Sequence, residues 1–433
     1  MQAQQFERPW YRQWNYLVIC LLLLLSPFLV LPGQKPLLCL VAIVTALWMQ
    51  GDPRLRIVGE KKPPELIFFT LWALWAVGTG SVVAENRIMF RDGVMQMTRM
   101  VVMLWAFMAI FYRQKNCTYL YYALIAVALV QVLASMLGIQ LDVGELALVR
   151  STGAAATSRT AGMTGNANTM GFVMLSSIWG CIMLWQSESV KRSGCVGRLV
   201  LLCLIVLFSH YIIQTASRKS LLVAVILLFA WFVWLIPGRF SFKSVFIASA
   251  ASLLLVIVGA VVFGYIMKDT YMGQRLLQWS DAGRGSLSAG FRENVRYLLY
   301  VEGWNMFLEH PIAGIGLSQF AHHFFNLYYV ELYSHSDYME PLACTGLVGF
   351  ILYHGFAFSV TLRLIRLLRC QLPDTISYII KGMLLFMIAN HYLIGLGCPH
   401  WNITDHNMVV LFIGVYAWKV WKIGVLRQPL YLV

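Results

Sequence analysis

Apolar runs long enough to cross a bilayer recur along the whole chain, and this limits what it can fold into more than any motif does. A hydrocarbon core about 30 Å thick takes roughly 20 helical residues at about 1.5 Å each. Twelve runs qualify, at approximately 15–31, 36–49, 65–84, 94–112, 119–137, 168–186, 199–214, 220–236, 244–267, 338–362, 376–397 and 408–424. The second is short for a straight crossing, and Gly78 and Gly80 interrupt the third, so the count has soft edges. None of the runs alternates polar with apolar residues. Lipid leaves each segment to satisfy its own backbone, so they read as helices rather than barrel strands. Composition agrees: with 59% hydrophobic and 12% charged residues and a mean hydropathy of +0.69, a soluble domain would expose apolar surface it has no means to cover. The expected fold class is all-α, a polytopic helical membrane protein of about 12 transmembrane helices. Residues 1–433 form one integral membrane domain, without obvious repeats or a soluble terminal domain.

Orientation follows from Lys and Arg. With both termini cytoplasmic, the inner segments hold nineteen of the 33 basic residues and the short outer loops seven. The long loop adds five, and Arg99 and Lys381 lie inside spans. This is the positive-inside pattern. It also explains the net charge of +14 through anionic inner-leaflet lipids, without nucleic acid as a partner. The first run follows a basic start but lacks a small-residue cleavage site, so it reads as a retained span. Of nine cysteines only Cys398 looks external, which argues against a structural disulfide, and no Cys/His spacing matches a zinc site.

Polar chemistry concentrates between Arg292 and Gly349. Two outer loops are long, Gly138 to Ala167 and Lys268 to Asp337. In the second, residues 280–290 read as a Gly- and Ser-rich flexible connector. The proline-free stretch from Phe291 to Glu309 reads as an amphipathic helix carrying Arg292, Arg296, Tyr300 and Gly303 on roughly one face. His310-Pro311 stops it, and Gly314-Ile-Gly316 supplies a tight turn. Such a helix either rests on the membrane interface with Arg heads among lipid phosphates, or holds two guanidiniums over a cavity of the bundle.

Arg218 and Lys219 sit on a very short connection, Gln214 to Ser220, between two spans. Pinned at the outer lip, they suit an anionic headgroup, since Arg offers phosphate a planar donor fork; the plainer reading is snorkelling. His335, in Tyr333-Ser-His-Ser-Asp-Tyr-Met-Glu340, is the candidate for proton work. An imidazole with an ordinary pKa near 6.5 can accept a proton at ambient pH, and Asp337 or Glu340 can orient it. Eight of the nineteen carboxylates fall between 268 and 340, which suits a solvated loop as well as a site. His310, His322 and His323 are weaker candidates of the same type. Arg159 to Asn168 leads into the sixth span, where Asn166 and Asn168 either cap the helix or meet an anion or sugar hydroxyl. His400, Asp405 and His406 in the last outer loop resemble metal ligands only loosely.

In this order the pieces resemble the O-antigen ligase and O-antigen polymerase superfamily of bacterial envelope glycan enzymes. The resemblance covers Arg159 to about Leu367. It comprises Arg159–Asn168 with Gly171, Thr215-Ala-Ser-Arg218, Arg296-x-x-x-Tyr300 followed by Trp304, His310 through Gly316, and His335 through Glu340 running into Thr345-Gly-Leu-Val-Gly349. It implies a metal-independent, inverting glycosyltransferase without cofactor in the bacterial inner membrane, with the 268–337 loop in the periplasm as lid and catalytic region. The implied donor is an undecaprenyl-diphosphate-linked glycan; the acceptor is lipid A-core for a ligase or a growing glycan for a polymerase. By matched position, Arg218 and Arg296 would bind the donor diphosphate and His335 would be the general base. Arg159, Asn168, Lys219, Arg292, Tyr300, Asp337 and Glu340 are candidates for supporting contacts. The protein-glycosylating branch, which often carries an extra soluble domain, fits less well; overall layout leans slightly to the ligase. From another class, a lipid-linked glycan transporter would also have twelve spans. Transporters, however, bury charges near the midplane between related halves, whereas here polar groups gather outside. A non-catalytic scaffold would leave the outer Arg, Arg and His without purpose.

Overall fold

The computed structural model describes residues 63–113, 118–139, 162–164, 167–232, 287–398 and 404–425, with Leu40, Val44 and Thr160 as isolated positions. Among the described residues every regular element is helical. In chain order these are α1 (Glu65–Val83), α2 (Arg87–Arg113), α3 (Thr118–Met136), α4 (Ala167–Leu184), α5 (Glu188–Arg192), α6 (Gly194–Thr215), α7 (Arg218–Ala230), α8 (Leu287–Glu309), α9 (Phe320–Tyr328), α10 (Met339–Leu368), α11 (Asp374–Phe386) and α12 (Thr404–Val425). A short 3₁₀ turn, Gly162–Thr164, precedes α4, and α11 continues into a π-helical turn, Met387–Leu393.

Among the described residues six helices are long and apolar enough to cross a membrane: α1, α3, α4, α6, α10 and α11 with its π turn. The apolar runs at 94–112, 220–236 and 408–424 fall on α2, α7 and α12; the last residues of the second lie outside the described residues. The runs at 15–31 and 244–267 also lie outside them, as does that at 36–49 apart from Leu40 and Val44. Apolar side chains such as Leu74, Val206, Leu222 and Phe358 point outward, as they do in a protein solvated by lipid.

Helix α4 is the axis of the bundle. It packs between α3 and α6, and nearly all of its residues are buried. Trp179 meets Tyr121 of α3 edge-on at 5.2 Å and Phe386 of α11 at 4.5 Å. A second layer is built on α10, which lies along α1 and against α12, with Trp72 and Tyr353 rings 4.7 Å apart. At the end opposite the site described below, Glu65 and Arg363 form an ion pair inside the bundle. The Arg363 guanidinium also stands 4.6 Å from the Trp418 ring, while Lys419 donates to the carbonyl of Phe111 at 2.7 Å.

Two local readings from sequence are revised. Gly78 and Gly80 do not interrupt α1; Gly80 is buried against the Phe90 ring and serves close packing of α1 on α2. Helix α8 begins at Leu287, inside the stretch read as a connector. Ser, Ala and Leu propagate a helix readily, and a single Gly costs only about 1 kcal/mol, so Gly290 does not stop it.

Candidate functional site

The His335 loop is held by its neighbours rather than by regular structure. Ser336 Oγ accepts the N–H groups of Tyr338 and Met339, both at 3.3 Å, at the entry to α10. Glu340 turns back from the first turn of that helix: one carboxylate oxygen accepts Ser334 N–H at 3.1 Å and Ser334 Oγ–H at 2.8 Å. Ser334 Oγ in turn accepts Ser336 N–H at 3.1 Å. Asp337 donates its N–H to Gly395 O at 2.8 Å, and its carboxylate accepts from Tyr353 Oη at 2.8 and 3.0 Å. Ser334, Ser336 and Asp337 are buried, whereas His335 between them is half-buried, its ring 4.0 Å from that of Tyr333. His335 has φ of 56°, a left-handed conformation costing a non-glycine residue about 1–3 kcal/mol, and its anchored neighbours hold it there.

The glycines of this region serve close backbone approach. Helix α10 breaks at Gly346 (φ 64°), and the 311–316 turn docks into the break. Ile315 N–H meets Ala343 O at 2.9 Å, Gly316 N–H meets Cys344 O at 3.0 Å, and Leu347 N–H meets Pro311 O at 2.8 Å. A Cβ on Gly314 would strike the backbone of Cys344, and one on Gly346 that of Ile312. On the other side Gln319 exchanges two bonds with the Asn86 backbone, at 2.8 and 3.1 Å, tying the turn to the α1–α2 connection.

Arg218 and Lys219 open α7 after a tight connection, with Ala216 left-handed at φ 51° and Ser217 at the cap position. Gly171 lets α7 close onto α4, since a Cβ there would lie 2.7 Å from Ser220 Oγ. Arg218 is half-buried at the helix N-terminus. Lys219 Nζ donates to the carbonyl of Gly397, and Tyr300 of α8 donates to that of Leu396. With Asp337 on Gly395, three successive carbonyls of one turn receive donors from α7, α8 and the His335 loop. Tyr338 adds a fourth donor at Tyr392 O, 3.0 Å away.

Arg296 lies one helical turn before Tyr300 on α8, and Arg292 one turn earlier still; their side chains lie outside the described residues. Gly303, on the same side, is buried with Phe320 3.1 Å from where its Cβ would stand, and Trp304 is half exposed. Arg159 and Asn166 lie outside the described residues; Thr160 N–H bonds Gln214 O at 3.2 Å, and Asn168 is exposed on the first turn of α4.

The other histidines read from the sequence as candidates fall elsewhere. His322 and His323 of α9 stand 3.9 and 3.8 Å from Glu85, and burial lowers the His323 pKa, keeping that ring neutral. His310 is exposed just past the end of α8. His406 is buried and shares a 2.9 Å hydrogen bond with His391 of the π turn, while His400 and the Asp405 side chain lie outside the described residues.

Sequence reading did not find the 395–397 turn, α9 or Tyr353. Gly395 and Gly397 were visible as breakers, but they fell inside what reads as one apolar run. Tyr353 carries no local signal at all, lying 16 residues beyond Asp337 on a helix face.

Together these features define a helical membrane protein whose polar, donor-rich groups gather at one end of the bundle. Residues 199–354 match the family model described as O-antigen ligase, which supports the O-antigen ligase and polymerase superfamily for this chain. The match runs from α6 through the His335 loop into α10. No curated protein matches the chain.

Proposed function

We propose that the protein is an inverting, metal-independent glycosyltransferase of the inner membrane that moves a glycan from an undecaprenyl-diphosphate donor to an acceptor hydroxyl, as an O-antigen ligase acting on lipid A-core. Twelve spans, cytoplasmic termini and a periplasmic site complete the reading. One observation carries it. The elements bearing Arg218, Arg296 and His335, distant in sequence, are tied to adjacent carbonyls of the 395–397 turn.

The chemistry asks little of such a site. His335 takes the proton of the acceptor hydroxyl, whose oxygen attacks the anomeric carbon from the face opposite the diphosphate. The sugar C–O bond breaks with its electron pair leaving on the diphosphate, and the single displacement inverts the centre. Diphosphate is already a competent leaving group, so two guanidinium forks offset its developing charge. Arg218 stands at the start of α7, where the positive end of the helix dipole favours the same anion. Lys219 and Tyr300 fix the two arginine-bearing helices on the turn, and Asp337 and Glu340 fix the loop that presents His335.

The glycan profile of a strain lacking the protein tests the activity. Unattached long glycans mark a ligase. Core carrying single repeats would instead assign repeat-unit polymerisation, and an unchanged profile would contradict both.

A further inference from the structure

We propose that Tyr353 is a positioning residue for His335, acting through Asp337; this rests on the reading of His335 as the base. Tyr353 lies on α10 beyond the break at Gly346, 2% exposed, its ring 4.7 Å from that of Trp72. Its hydroxyl reaches back past the break and shares its proton between both oxygens of Asp337, at 2.8 and 3.0 Å. Asp337 is itself 1% exposed, and its N–H is bound by Gly395 O. Residue 337 is therefore fixed twice, by the core of α10 and by the 395–397 turn.

His335, two residues upstream, is held in a left-handed conformation that a free loop would abandon. Glu340 anchors the loop on one side of His335 through Ser334, and Tyr353 anchors it on the other through Asp337. Removing the Tyr353 hydroxyl takes away the donor that both oxygens of this buried carboxylate share, and the group shifts toward its other partners. That movement displaces the imidazole, while the α7 and α8 attachments to the turn stay in place. A displacement on the order of 1 Å at a reacting group is enough to lower turnover strongly.

The test uses the protein in proteoliposomes with an undecaprenyl-diphosphate glycan as donor and lipid A-core as acceptor, and reads turnover per donor-binding site. That normalisation removes losses from misfolding. Tyr353→Phe is expected to lower turnover at least tenfold with donor KM within twofold of wild type. Adding Asp337→Asn is expected to lower it no further, since the two residues act as one unit. Wild-type turnover in Tyr353→Phe, or multiplicative losses in the double variant, overturns the proposal. Should Tyr353→Phe yield no folded protein, Asp337→Asn alone decides, and wild-type turnover there overturns it. Wild-type turnover in His335→Ala removes the base reading itself, whatever Tyr353→Phe does.

Discussion

Lys219, the second residue of α7, donates its ammonium to the backbone carbonyl of Gly397, 178 residues further along the chain. The contact fixes the N-terminus of the helix that begins with Arg218 to the same turn that holds the His335 loop through Gly395 and α8 through Leu396. Gly397 admits it, because a Cβ at that position would lie 2.9 Å from Lys219 Cδ. Lys219→Met keeps the stem and removes the donor. A hydrogen bond to a charged group contributes about 1.5–3 kcal/mol, so the variant is expected to unfold at lower temperature in detergent and to bind donor more weakly. Unchanged melting and donor affinity would separate the contact from the site.

The proposed diphosphate clamp predicts that Arg218→Ala and Arg296→Ala each weaken binding of the lipid-diphosphate donor. Losing one charge-assisted fork is worth about 1.5–3 kcal/mol, roughly a tenfold to hundredfold loss of affinity. Titration of donor into purified protein checks this. Lys at either position should restore charge but not full affinity, since an ammonium lacks the planar fork.

Gly346→Ala should be poorly folded. It combines a left-handed backbone, costing about 1–3 kcal/mol, with a Cβ that meets the Ile312 backbone. Gly78→Ala is the internal control: nothing lies within 4 Å of the added carbon, and in a helix interior Ala is favoured over Gly by about 1 kcal/mol. Yield and melting temperature of the two variants are expected to move in opposite directions.

The far end of the bundle supplies an independent prediction. Arg363→Gln leaves Glu65, 1% exposed at its side chain, as an uncompensated buried acid, and breaking such a pair costs about 3–5 kcal/mol. Adding Glu65→Gln should recover part of that loss. A thermal-unfolding cycle measures the coupling, and additive losses would show that the pair contributes little.

Hydropathy made the helices legible because lipid leaves the backbone no alternative: α1, α3 and α4 fall within a residue or two of their apolar runs. His310-Pro311 and Gly314-Ile-Gly316 were equally legible, since proline and glycine act on the backbone where they stand. What sequence could not give is what depends on partners far along the chain. Asp337 and Glu340 read as groups beside His335, yet in the fold they anchor its loop through Tyr353 and Ser334. Lys219 read as one of two adjacent outer cations, and only the fold shows that its ammonium is committed to Gly397 O. The 395–397 turn was hidden because its function lies in main-chain carbonyls, which every residue has.

The account stands most directly on the transfer rate of His335→Ala, measured in protein that is inserted and binds donor normally. Loss of a general base is expected to lower turnover about 10²–10⁴-fold with donor affinity preserved. Transfer at the wild-type rate would contradict the account.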